Sequence, residues 1–183
     1  MPIPAIDAIT TPRTTIRNVT AEDLPDLMEV NGDPDVTQFL PYATWTSDAD
    51  AQAWLERIEK LVAAGGTGQY VVVRKTDGKV MGTALLFKFD EGSRRAELGY
   101  ALGRAFWRQG YAAEAVRALL DHAFQAMEIR RVEAEVNPAN VASNELLRTL
   151  GFTHEGLLRD RWVAKGVTYS ANIWGLLASE WRR

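Results

Sequence analysis

The chain has 183 residues and a formal net charge of -3, enough length for one domain to bury a core without metals or crosslinks and too little positive charge for a dedicated nucleic-acid binder. It contains no cysteine, which excludes a disulfide framework, a thiolate zinc site and any covalent cysteine intermediate. The opening stretch MPIPAIDAITTPRTT is proline-rich and lacks a basic leader, so it reads as neither signal peptide nor membrane span, and no later apolar run approaches the roughly 20 residues that cross a bilayer. The expectation is a soluble, cytoplasmic protein with a loose arm over residues 1–13 and a single domain over 14–183.

In chain order, TTIRNVT reads as a first strand, and residues 20–31 as a short helix with Leu24, Leu27 and Met28 on one face. Ser47 with Asp50 resembles a capping box, and Ala51, Trp54, Leu55, Ile58, Leu61 and Val62 follow at helical spacing, which predicts a helix over 47–64 ended by AAGGTG. QYVVVRK and KVMGTALLFKF are β-rich runs joined by Thr76-Asp77-Gly78, a hairpin signal, and AELGYAL adds a third strand to make a meander. The helix predicted over 110–127 buries Ala112, Ala115, Val116, Leu119, Leu120, Ala123 and Phe124 in one stripe. RRVEAEV is then a strand, residues 141–150 a helix closed by Gly151, and two last strands meet across AKGVT. Strand, loop, helix and strand between Glu97 and Val136 form a crossover, so those two strands are parallel neighbours and the sheet is mixed.

The junction FWRQGYAAEA, residues 106–115, places Gly110 where the long helix begins. A helix start carries N–H groups without intrahelical partners and the positive end of the macrodipole, and a glycine removes the Cβ that would keep a phosphate oxygen away. A pyrophosphate-bearing ligand is the natural hypothesis for such an end. No G-x-x-x-x-G-K-[ST] or helix-opening G-x-G-x-x-G is present, and the GGTG of residues 65–68 leads into a strand instead of a helix.

Taken together and in order, TWTSDADAQAWLERI, AELGYALGRAFWRQGYAAEA, RRVEAEVNPANVASNELLRTLGF and HEGLLRDRWVAKGVTYSANIWGLL resemble the GNAT N-acetyltransferase superfamily, in the branch that contains the ribosomal-protein alanine N-acetyltransferases. The resemblance runs from about Thr14 to Trp181. It implies an α+β GNAT fold, with a central mixed, mostly antiparallel sheet of about seven strands and helices on both faces. It also implies acetyl-CoA as cosubstrate, without a metal.

The resemblance further implies that the backbone N–H groups of Arg108, Gln109, Gly110, Tyr111, Ala112 and Ala113 hold the pyrophosphate. Trp107 departs from the pattern, standing where glutamine or arginine is usual; packing on the sheet rim is its other reading, and solvent exposure that of Arg108. Tyr100 to Leu102 would offer an unpaired strand edge to the pantetheine arm and a backbone N–H to the thioester oxygen. Asn140 would bond the pantetheine or substrate side, and Ser143 would sit near the sulfur as a hydrogen-bond donor. Leu147 replaces the tyrosine that protonates the leaving thiolate in many relatives. Helix capping is the other reading of Ser143. Glu97 is the candidate general base, its alternative being a solvent-facing strand glutamate or a partner of Arg94 or Arg95. Glu155 and His154 form the reserve pair, and Glu114 is read as structural.

The implied chemistry is direct attack of an amine on the acetyl thioester. An α-amine ionises near 7.7–8.0 and a lysine near 10.4, so neutralising lysine costs roughly 3.5 kcal/mol more; a lone base suits a peptide N-terminus best. A small amine, such as a polyamine or antibiotic, is the second acceptor class. An acyl-CoA binding module without turnover and a nucleotide-binding protein are the competing readings. Phe39, Leu40, Tyr42 and Trp45 are expected either to shape the acceptor pocket or to serve as core or dimer contacts, and Trp162, Trp174 and Trp181 are expected as exposed aromatics of a possible homodimer. No membrane or direct nucleic-acid partner is expected.

Overall fold

A computed structural model describes Ile3 and residues 6–182. The strands are β1 (Ile9–Thr10), β2 (Thr14–Asn18), β3 (Gly68–Arg74), β4 (Val80–Asp90), β5 (Arg95–Leu102), β6 (Arg131–Val136), β7 (Thr153–Ala164) and β8 (Val167–Leu177). The helices are α1 (Leu24–Asn31), α2 (Pro34–Thr37), α3 (Asp48–Ala63), α4 (Tyr111–Gln125) and α5 (Val141–Thr149). Among the described residues all strands join one sheet in the order β1-β2-β3-β4-β5-β6-β8-β7, and only β5 and β6 pair in parallel, as the crossover through α4 requires.

The expected α+β architecture is present with eight strands instead of about seven. The added strand, β1, lies within the segment expected as a loose arm. There Ile9 and Thr10 pair with Ile16 and Thr15, and Ile3 and Ile6 are buried in the core; apolar side chains spaced three apart find a place beside β2. Met1, Pro2, Pro4 and Ala5 lie outside the described residues. A one-turn helix, α2, was also unforeseen: the Asp33 side chain accepts from the Asp35 N–H and Pro34 opens the turn, a local start signal too short to carry a periodicity.

Alternation along the strands gives the sheet two packed faces. On one, Tyr70, Val72, Ala84, Leu86, Ala96, Leu98 and Val132 meet Val116, Leu119 and Leu120 of α4 and Leu147 of α5. On the other, Val71 and Val80 meet Leu27 of α1 and Trp54, Leu55 and Ile58 of α3. The capping box of Ser47 and Asp50 forms as read. The apolar stripe of α3 is shorter than expected, because Leu61 and Val62 in its last turn are exposed. Ala112 and Phe124 of α4 are half-buried against the core instead of within it.

Two further expectations change with the packing. Trp174 is 7% exposed, since β8 is paired on both edges and its indole donates to Asn144 Oδ1 at 3.0 Å. Trp181 is half-buried, bonded to Asp121 Oδ1 at 2.8 Å. Of the three aromatics expected outside, only Trp162 is exposed. Trp45 is core, its ring tilted against that of Trp54 with centroids 5.6 Å apart, and Tyr42 packs against the same cluster while donating to Asn31 Oδ1 at 3.0 Å.

Candidate functional site

The parallel pairing of β5 and β6 covers only Arg95↔Arg131, Ala96↔Val132 and Glu97↔Glu133. Beyond Glu97, residues up to Leu102 stay paired with β4, and Ala134 to Val136 stay paired with β8. The two strands therefore part immediately after Glu97, and each presents an open inner edge to the gap. Gly82 makes this frame possible. It has φ +155, and a Cβ there would lie 2.1 Å from the Ala101 carbonyl oxygen, so only glycine lets β4 hold β5 at this height.

The loop from Gly103 to Gly110 closes the wide end of the gap. Its first turn is a 3-10 segment, Arg104–Phe106. Trp107 lies on the rim, 42% exposed, with its indole N–H donating to the Leu102 carbonyl at 2.7 Å; it clips the loop to the end of β5. Arg108 has φ 57 and Gly110 φ 80, both left-handed, which turns the chain into α4. Gly110 caps α4 without a side-chain bond. The first N–H groups of the helix, those of Tyr111, Ala112 and Ala113, thus face outward without an intrahelical acceptor. A Cβ on Gly110 would approach Arg13 Nη2 at 3.3 Å.

Side chains around this loop brace it. Gln109 Nε2 donates to the Ala105 carbonyl at 2.7 Å, and Arg13 Nη1 donates to the Gln109 carbonyl at 2.9 Å. Glu114 accepts from Thr11 Oγ1 at 2.6 Å and from the Arg13 backbone N–H at 2.8 Å. Burial pushes the Glu114 carboxyl up, but the bonds from Thr11 and Arg13 outweigh it and hold the group below the usual carboxylate range. Glu114 is structural, as read; its partners 101 and 103 positions away were not legible from local pattern.

On the α5 side, Asn140 is the N-cap, its Oδ1 accepting from the Ser143 N–H at 3.2 Å. The capping alternative for Ser143 therefore falls to Asn140, whose Oδ1 is engaged within the helix start. Ser143 Oγ is instead 2.7 Å from the Tyr100 hydroxyl, across the gap from α5 to β5. The Tyr100 phenol is pushed up to about 12 by burial, against a smaller opposite effect of Ser143, so it stays protonated and can donate. Tyr100 entered the sequence reading only through its backbone; its side chain was missed. Leu147 is fully buried in the core, packed where no hydroxyl is needed.

On the opposite face stand Glu97, Glu133 and Glu135. Glu97 is 7% exposed, and Lys88 Nζ donates to its Oε2 at 2.7 Å. Arg94 and Arg95 are not its partners. Arg95 turns to Glu133, while the antiparallel pairing of β4 brings Lys88 alongside. Burial pushes the Glu97 carboxyl above its ordinary range; Lys88 opposes this, and the charges of Glu135 and Glu133 add to the rise. Glu133 and Glu135 go the other way. Burial raises both, but Arg131 and Arg95 outweigh it at Glu133, and Arg161 and the Trp162 indole N–H at Glu135. The reserve pair is occupied elsewhere: Arg131 Nη1 donates to Glu155 Oε1 at 2.9 Å, and His154 Nε2 lies 3.1 Å from Asn172 Oδ1. Among the described residues, no group of three or more histidine or carboxylate side chains is arranged to hold a metal ion, and no helix is long and apolar enough to cross a membrane.

One strand thus serves two faces. Glu97 points toward Lys88 and Tyr100 toward Ser143, as residues three apart on a strand must. The gap between them is open at the backbone, with uncapped helix N–H groups at its wide end. These features fit a ligand that combines a pyrophosphate with an extended amide-bearing arm, the build of a coenzyme A thioester.

Comparison with known proteins agrees with this architecture. A family model described as an acetyltransferase (GNAT) domain matches residues 13–153. The chain is 35% identical over 176 residues to the uncharacterized N-acetyltransferase p20 of Bacillus licheniformis, covering 96% of this chain and 99% of that protein. It is 27% identical over 131 residues to the ribosomal protein uS5-alanine N-acetyltransferase of Escherichia coli (strain K12), covering 71% of this chain and 68% of that protein. The crystal structure of a probable GNAT-family acetyltransferase from Chromobacterium violaceum superposes with a TM-score of 0.86 at 26% identity, over 98% of this chain and 91% of that one. With the model spanning most of the sequence and the Bacillus relative matching almost end to end, the chain belongs to the GNAT family of acetyltransferases.

Proposed function

We propose that this protein transfers the acetyl group of acetyl-CoA to the α-amine of a protein or peptide N-terminus, by direct attack. The observation that carries the reading is the two-sided strand: a buried carboxylate with a raised pKa on one face of the gap, and a hydroxyl pair on the other. Acetyl-CoA supplies the activated acetyl thioester. The N–H groups of Arg108 to Ala113 hold its pyrophosphate, and the open edge from Tyr100 to Leu102 aligns the arm so that a backbone N–H meets the carbonyl oxygen. Glu97, kept nearer neutrality than an exposed glutamate, removes the proton from the attacking ammonium. Ser143, with its oxygen held by Tyr100, turns its own hydrogen toward the sulfur. A thiol ionises near 8.5, so a hydrogen bond suffices for its departure. Asn140 caps α5 and so fixes the turn on which Ser143 sits.

The likeness to the E. coli ribosomal-protein enzyme supports a protein N-terminus as acceptor, as does the lower proton cost of an α-amine. A small cationic amine is the second reading. It is favoured by the way Glu97 and the Trp162 ring already flank an alkylammonium, that of Lys88.

The test is thiol release from acetyl-CoA against free-N-terminus peptides, polyamines and aminoglycosides, with products read by mass. A protein without cysteine adds no thiol background. Acetylated peptide as the main product is the expected result; acetylated polyamine or aminoglycoside with inert peptides would replace the first reading by the second.

A further inference from the structure

Lys88 places a primary ammonium against the carboxylate read as the base. The pairing of β4 with β5 loses register between Phe87 and Asp90, and Lys88 lies in that interruption with a left-handed φ of 50. Such irregularities re-aim side chains. Here the result is an ammonium 2.7 Å from Glu97 Oε2, 5.4 Å from the centre of the Trp162 ring and 5.3 Å from that of Phe87. The Trp162 indole N–H is held by Glu135 Oε2 at 2.7 Å, which fixes the ring beside the amine. Carboxylate and aromatic face together recognise a primary ammonium. The parallel pairing ends at Glu97 itself, so this seat adjoins the open edge of β5. The Lys88 side chain is 46% exposed, whereas the Glu97 side chain is 9% exposed.

We propose that Lys88 is a self-acetylation site: in the absence of an external acceptor, the protein transfers an acetyl group from acetyl-CoA to its own Lys88 Nζ. The inference rests on the reading of Glu97 as the base. The Lys88 ammonium gives one proton to the Glu97 carboxylate, and the freed lone pair forms the N–C bond to the acetyl carbonyl carbon. The C–S bond breaks, and the departing thiolate takes the second proton from nitrogen. The products are an Nε-acetyl-lysine, a free thiol and a proton on Glu97 that returns to solvent. Acetyl-Lys88 carries no charge and no longer pairs with Glu97, so the modification vacates the seat electrostatically.

The experiment incubates the purified protein with acetyl-CoA alone, follows intact mass and maps the modified peptide. Expected are one acetyl group per chain on Lys88, an equal amount of released thiol, and a rate per chain independent of protein concentration. Glu97→Gln lowers that rate by about a hundredfold. Lys88→Arg leaves the peptide unmodified, and a saturating acceptor slows the reaction in the wild type. A protein that acetylates external amines while Lys88 stays unmodified, or is modified equally fast in Glu97→Gln, overturns the proposal and leaves the transferase reading intact. Absence of thiol release with every amine and with Lys88 overturns both.

Discussion

At the first turn of α4 the polar groups are backbone N–H groups, whereas on the carboxylate face of the gap they are the side chains of Glu97, Lys88, Glu135 and Trp162. The first region depends on φ angles: Arg108 and Gly110 are left-handed, and Gly110, the N-cap, offers no side-chain bond to the helix N–H groups. The second depends on which side chains neighbouring strands deliver, since Glu97 receives its partner from β4 while β6 supplies the two flanking carboxylates. In the proposed function the backbone-built region recognises what many ligands share, a phosphate, and the side-chain-built region carries the chemistry.

The sharpest way to break this contrast is Glu97→Gln. Turnover is expected to fall about 10²–10⁴-fold with acetyl-CoA affinity unchanged, measured by thiol release and by calorimetric titration. In the wild type, kcat/KM should fall on acidification through a pKa above the ordinary glutamate range. Stability gives an independent reading of the same group. A carboxyl whose pKa is raised in the fold contributes stability that is full below its unfolded value and is lost as pH rises through the folded value. The Gln variant lacks that loss, so its thermal midpoint should gain on the wild type as pH rises.

Gly110→Ala tests the other region. The left-handed φ of +80 and the 3.3 Å approach to Arg13 make the added methyl strained. Acetyl-CoA affinity should weaken about tenfold, an effect of about 1.4 kcal/mol, with kcat at saturation retained. An unchanged dissociation constant would mean that the first turn of α4 does not hold the pyrophosphate.

Tyr100→Phe probes the hydroxyl pair between the two regions. Loss of one hydrogen bond, about 1 kcal/mol, predicts a fall in kcat of about fivefold. In a Ser143→Ala background the same change should have no further effect, because both remove one interaction. Additive losses would show that the two hydroxyls act separately.

Tyr70→Phe lies outside both regions and carries the smallest expected effect. The Tyr70 hydroxyl is buried and finds no hydrogen-bond partner among the described residues. Its removal should raise stability by about 1 kcal/mol in denaturant titration and leave the kinetics unchanged.

Much of the fold was legible. Ser47 with Asp50, Asp77-Gly78 and the α4 stripe each act within a few residues, so the starts of α3 and α4, the hairpin and the crossover could be read from the chain. The segment before Thr14 was misjudged, because its prolines say nothing of the hydrophobic contact that Ile3 and Ile6 find. Trp174 was misjudged because exposure of a strand residue depends on which strands flank it.

The amino-acid sequence by itself determined the order of the elements, the parallel neighbours and the glycine at the helix start, since propensity, capping and turn chemistry are properties of neighbouring residues. Only the tertiary structure decided that pairing stops at Glu97, that Lys88 and not Arg94 or Arg95 holds that carboxylate, that Asn140 takes the cap, and that the Tyr100 hydroxyl meets Ser143. Those contacts join residues brought together by strand register, and a single bulge such as the one at Lys88 changes which side chain arrives. Local pattern cannot count such an interruption before the strands are paired.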